Sequence, residues 1–182
     1  MPKFEGGQGQ RRPGGDRRGP RPGRPGEDKE FDQRILELSR VTRVTKGGKR
    51  MRFRACVIIG DRKGRVGYGV AKGLDVQSAV QKAATQAKKR LLVIPLQNET
   101  IPHAVERKFA AAVVLVKPAP KGTGVKAGGA VRVVLELAGV PNVVAKILGS
   151  SNKINNTKAT IAALSALKPA LKKEPKVAEV AA

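Results

Sequence analysis

Little in this chain supports redox or metal chemistry: among its 182 residues there is one cysteine, Cys56, and one histidine, His103. A single cysteine excludes intrachain disulfides, and nothing points to an oxidising compartment. One Cys and one His cannot assemble a zinc cage of the usual kind from this chain alone, so neither a metal nor another cofactor is expected. Tryptophan is absent and aromatics make up 3%, too few for the stacking platforms that hold single-stranded nucleic acid. No apolar run approaches the roughly 20 residues that span a bilayer, and the N-terminus has no apolar signal-peptide core. A membrane is therefore not an expected partner. Carboxylates are scarce too. Lys and Arg total 37 against 14 acidic residues, a formal charge of +23, and such a chain is read first as a binder of polyanions. The hydrophobic fraction of 40% is ample for folding, and the length allows one or two small domains with real cores.

The stretch 40–60, RVTRVTKGGKRMRFRACVIIG, organises the rest. It reads as a hairpin turning at Gly47-Gly48, a pair that accepts the positive φ of a tight turn. After the turn Met51, Phe53, Ala55, Val57 and Ile59 fall on one side of a strand and Arg50, Arg52 and Arg54 on the other, because successive strand side chains point to opposite faces. Arg40, Arg43, Lys46 and Lys49 add charge, with no acidic residue between Glu37 and Asp61. A surface of this kind repels itself unless an anion sits on it, and alternate arginines suit the bidentate fork that phosphate favours. The competing structural reading is an edge strand blunted by charge against aggregation.

Residues 1–30 are rich in Gly, Pro and Arg with almost no apolar side chains, and are expected to be disordered. Ile35, Leu36, Leu38, Val41 and Val44 suggest a first strand whose alternation slips at a bulge. A turn follows at 60–64. In the third strand Val66, Tyr68 and Val70 share one side and Gly67 and Gly69 the other, which suggests another element or a backbone approaching closely there. Val76, Ala79, Val80, Ala83, Ala84 and Ala87 recur at helical spacing behind Asp75, a credible N-cap. The first domain, 31–94, is thus expected to hold three antiparallel strands covered on one face by one helix, with its other face or hairpin rim basic and free. The second, 95–168, reads as β-β-α-β-α: a strand carrying Ile101, His103, Val105, Arg107 and Phe109, a second over 110–116, a glycine-rich loop, a helix over 130–138, a strand over 143–148 and a helix over 157–168. The tail 169–182 is expected to be mobile, with Lys172, Lys173 and Lys176 available to RNA.

The loop 121–129 invites an enzymatic reading, since glycine backbones before a helix cradle phosphate. Gly124 to Gly129 has the span of a Walker loop, but Ala130 and Val131 stand where Lys and Ser or Thr belong. Gly67 and Gly69 continue to Gly73, one residue too far for a dinucleotide fingerprint, and lie within a strand. A lone strand histidine is a structural residue before it is a general base, and Cys56, at the apolar end of its strand, is expected to be inert. No enzyme is expected. The alternatives kept open are a small-molecule kinase using 122–129 and a free-standing RNA chaperone.

Several stretches together carry a family resemblance: 40–48, Gly60-Asp61, Gly64-Arg65-Val66-Gly67-Tyr68-Gly69, Thr100-Ile101-Pro102-His103, Gly122-Thr123-Gly124, Ala127-Gly128-Gly129-Ala130-Val131-Arg132 and Leu137-Ala138-Gly139-Val140. In order and spacing, over 31–167, they resemble the bacterial-type S5 family of small-subunit ribosomal proteins. The resemblance implies an α+β chain of two small α/β domains. The first is similar to double-stranded-RNA-binding domains without their first helix, and the second contains a left-handed β-α-β crossover, against the usual rule. It implies a structural role in the cytoplasmic small ribosomal subunit and in decoding fidelity. The partners it implies are small-subunit rRNA, proteins four and eight of the same subunit, and mRNA near its entry path. The expected RNA contacts are Arg40, Arg43, Lys46, Gly47, Gly48, Lys49, Arg50, Arg52 and Arg54 on the hairpin, Arg62, Lys63 and Arg65 at the next turn, and Lys153. The expected protein-facing residues are Gly122, Gly124, Gly128, Gly129 and Arg132. The chain departs from the family pattern at Lys153, in place of a proline, at Glu99, in place of a common glycine, and at Val70, where many relatives have lysine.

Overall fold

A computed structural model describes residues 31–168; the stretches expected to be a disordered head, 1–30, and a mobile tail, 169–182, lie outside the described residues. The first half of the fold is a four-stranded antiparallel sheet in the order β1 (Asp32–Thr45), β2 (Gly48–Gly60), β3 (Arg65–Gly73) and β4 (Leu91–Val93). Strand β4 is an addition to the three strands expected. It is three residues long and pairs with the start of β3. The slip in β1 is a bulge, with the register shifting between Ile35 and Glu37.

Helix α1 (Val76–Lys88) packs on the glycine side of β3. A Cβ at Gly69 would stand 2.0 Å from the Ala83 carbonyl oxygen, so an alanine-faced helix lies directly against bare strand backbone. Asp75 occupies the N-cap, and the Ser78 hydroxyl bridges back to its backbone. Ala55, Val57, Ile59, Ala79, Ala83 and Ala87 form the core between sheet and helix.

The second half has a sheet in the order β5-β6-β8-β7, built from β5 (Val105–Phe109), β6 (Ala112–Pro118), β7 (Val125–Lys126) and β8 (Val143–Ile147). Strands β7 and β8 run parallel and are joined through α2 (Gly129–Ala138); α3 (Lys153–Ser165) follows β8. Three expectations are corrected here. Residues 101–104 form no strand, so Ile101 is a buried loop residue and His103 an exposed one. The two-residue β7 was not foreseen. Helix α3 starts at Lys153, ahead of the expected 157, because the Asn152 side chain accepts the Ile154 and Asn155 amides and caps it there.

The basic face of the first sheet is also less free than expected. Ala55, Cys56, Val57, Ile58 and Ile59 are each at most 1% exposed, so this end of β2 is covered on both faces. Ile58 and Val66 belong to one core with Val131, Val134, Leu135 and Leu137 of α2. The backbone locks the same joint. The amides of Arg62 and Gly64 donate to the carbonyls of Leu137 and Ala138 at 3.0 and 2.9 Å. Carbonyls at a helix end lack intrahelical donors, and here the turn 60–64 of the other sheet supplies them.

Candidate RNA-binding hairpin

Strand β2 pairs with β1 along its whole length but with β3 only from Phe53 to Gly60. The distal part of the hairpin is therefore two strands standing clear of the sheet, about five residues or roughly 17 Å beyond it at the usual strand rise. Thr45 pairs with Gly48, so the two-residue turn is Lys46-Gly47, one position earlier than expected. Gly48 closes it at φ +131°, a conformation that favours glycine.

The register sorts the expected cations by face. Arg43 stands opposite Arg50 and Val41 opposite Arg52, while Lys72 of β3 is opposite Arg54. Arg43, Arg50, Arg52 and Lys72, with Val41 and Thr42, line a concavity of about 280 Å³ that contains no carboxylate. Like charges directly opposite on a ladder destabilise it. Arg40 pairs with Phe53 and so belongs to the other face. Lys46 and Lys49 are exposed at and beside the tip.

Arg54 differs from its neighbours in the row. Its Nε donates to Ser39 Oγ at 3.2 Å, and its guanidinium lies 3.7 Å from Glu37. Three arginines alternate in sequence, yet Arg54 is internally held and only Arg50 and Arg52 present free guanidinium groups from β2. Lys72 was missed, although the alternation Val66, Tyr68, Val70, Lys72 already placed it on this face.

Arg62, Lys63 and Arg65 sit at the opposite end of β2, beside α2, and do not join the hairpin concavity. Arg62 pairs with Asp32 at 2.9 Å, and Arg65 pairs with Asp61 while lying over the Phe31 ring. Burial of the Asp61 carboxyl works to raise its pKa, but the Arg65 side chain and the amides of Lys63 and Arg65 outweigh that together and hold it below the usual value. Lys153 is separate again, in the first turn of α3.

The glycine loop is occupied by its own protein. Asn142 is 5% exposed, and its Oδ1 accepts the amides of Gly122 and Gly124 at 3.0 and 3.2 Å. Two of the loop amides that a nucleotide phosphate would draw on are thereby spent, which weakens the physical basis of the kinase alternative. Gly128 is the N-cap of α2, and Gly129 is its exposed first residue. Arg132 pairs with Glu136, whose other oxygen pairs with Arg34 of β1, both at 2.9 Å. Cys56 is buried beside Glu37, and burial first, then that carboxylate, pushes its thiol up to about 11, as an inert thiol requires.

The family model "Ribosomal protein S5, N-terminal domain" matches residues 31–95, and "Ribosomal protein S5, C-terminal domain" matches 107–179. A relative from Spinacia oleracea, "Small ribosomal subunit protein uS5c", is 51% identical over 139 residues, covering 76% of this chain and 45% of the relative. The chain thus spans less than half the length of that relative.

Proposed function

The chain belongs to the ribosomal protein S5 family, and from that premise we propose that it is a non-enzymatic structural component of the small ribosomal subunit which binds rRNA through its projecting hairpin. One observation carries the reading: Arg43 faces Arg50 across a two-stranded ribbon, in a concavity with Arg52 and Lys72 that holds no carboxylate. That arrangement is costly in water and favourable against phosphates. The bases of A-form RNA are hidden in its deep groove, so recognition is by backbone and shape. Cations neutralise phosphates and release counterions while the ribbon sets orientation.

In this reading residues 31–94 are the RNA-binding unit. Arg40, Lys46, Gly47, Gly48 and Lys49 extend the contact to the tip, and Arg62, Lys63, Arg65 and Lys153 meet RNA elsewhere on the particle. Residues 95–168 serve protein contacts, with Gly122, Gly124, Gly128, Gly129 and Arg132 facing protein four, and a further contact with protein eight. Proximity to the mRNA entry path and an influence on decoding accuracy follow from the same family likeness. The open space around Gly122, Gly124 and Gly129, where an added Cβ meets nothing within 4 Å, supports a surface free to receive a neighbour.

Two measurements test the proposal. In a sucrose gradient the protein travels with small subunits. Purified protein binds structured small-subunit rRNA with log K falling by about four to five per tenfold rise in salt, as expected for about six phosphate contacts. Sedimentation at the top of the gradient, or an affinity indifferent to salt, contradicts it.

A further inference from the structure

Helix α1 carries no acidic side chain, and its solvent side bears a second basic concavity. Gln81, Lys82, Thr85, Gln86, Lys89 and Arg90 line a shallow groove of about 590 Å³. Gln81 with Thr85 and Lys82 with Gln86 stand at i, i+4 on the helix, Lys89 is its C-cap and Arg90 follows in the turn. Cations stand at both ends of the stripe and neutral hydrogen-bonding groups between them. Lys82, Lys89 and Arg90 are all exposed. Lys82 lies well before the last turn, so complementing the helix dipole does not explain it. Gln86 is oriented by the sheet, its Oε1 accepting the Val70 amide at 3.2 Å, which leaves its NH₂ group to donate elsewhere.

We propose that this helix groove is a second RNA-backbone site and that the protein bridges two separate RNA segments. The two grooves lie on opposite faces of the sheet. Helix α1 covers the Gly67 and Gly69 side of the sheet, whereas Arg43, Arg50, Arg52 and Lys72 project from the other side. One duplex lying on the hairpin groove leaves the helix groove facing away from it. The firm contact between α1 and the bare backbone of β3 holds the two grooves in fixed relation, as a clamp between two helices requires. This inference rests on the RNA-binding reading of the hairpin and adds a contact on the opposite face of the same sheet.

A capture assay tests it with the full chain: one short RNA duplex is immobilised, protein is added at moderate salt, and recruitment of a second, fluorescent duplex is read. The wild type recruits the second duplex. The triple variant Lys82→Gln, Lys89→Gln, Arg90→Gln still binds the first duplex, but recruitment falls about tenfold, the order expected for losing three phosphate contacts. Unchanged recruitment by this variant, with its circular-dichroism melt intact, overturns the second site and leaves the hairpin reading standing. The variant Arg43→Gln, Arg50→Gln, Arg52→Gln reports on the hairpin alone. If it captures and recruits as the wild type does, the hairpin proposal fails by a distinguishable result.

Discussion

Gly139 lies so close to Arg62 that a Cβ built on it would stand 2.0 Å from the Arg62 carbonyl oxygen, and Gly139 also holds φ at +76°. Two demands therefore meet at one residue, a left-handed helix cap and a backbone seat for the other sheet. Gly122 has a similar φ of +86° but nothing within 4 Å of its Cβ position. Alanine at Gly122 is expected to cost about 1–2 kcal/mol, the left-handed penalty alone. At Gly139 the joint must also shift, and the expected cost is about 3 kcal/mol or more. Urea unfolding of the two variants checks this, and equal losses would mean that the close approach is relieved without strain.

Arg43 and Arg50 make an opposite-sign prediction. With no anion present, their cross-strand pairing opposes folding, so Arg50→Thr should raise stability by about 0.2–1 kcal/mol. The same change removes one phosphate contact, and the slope of log K against log salt should fall by about one. Thermal melts and salt-titrated RNA binding on a single variant read both effects. Loss of stability together with unchanged RNA affinity would assign the arginine to the fold instead.

Asn142 holds the glycine loop in place by accepting the amides of Gly122 and Gly124 while its backbone amide donates to Glu99. Asn142→Ala leaves those two loop amides without their buried acceptor. The expected cost is about 1–3 kcal/mol, with faster hydrogen exchange at Gly122 and Gly124. Exchange at wild-type rates would show that the loop holds its shape without the carboxamide.

How much of this was legible varied by element. A close neighbour on the glycine side of β3 was foreseen from Gly67 and Gly69, because a missing Cβ on one strand face admits close approach; that the neighbour is α1 came from the structure. The bulge in β1 followed from the broken alternation at Ile35 and Leu36. The joint between the two sheets was not foreseen, although its signal was present. Ala55-Cys56-Val57-Ile58-Ile59 is an unbroken apolar run, and a run without alternation marks a strand covered on both faces. The onset of α3 was missed because Ser150 to Asn156 is rich in residues that serve turns and caps equally well. Pairing also decided which arginines are free. Alternation puts Arg50, Arg52 and Arg54 on one face, but only the register brings Ser39 and Glu37 to Arg54.

Asp61 gives a pH prediction. Its carboxylate is 4% exposed and accepts the amides of Lys63 and Arg65 and the Arg65 side chain, and these together hold its pKa below the ordinary value. A carboxyl whose folded pKa is depressed contributes stability that is fully present above its unfolded pKa, near 3.9, and lost as pH falls through the folded value. Stability measured in urea should therefore decline as pH drops through about 4 and below. Asp61→Asn keeps one oxygen acceptor for the turn but binds no proton. Its stability at neutral pH should be lower, because the charge-assisted contacts to Arg65 are gone, and its decline in acid should be shallower than that of the wild type. Two acid limbs that run parallel would place the acid sensitivity on other carboxylates. Because the same turn donates its Arg62 and Gly64 amides to the end of α2, acid that releases Asp61 should loosen the joint first, and hydrogen exchange at those two amides should accelerate before global unfolding.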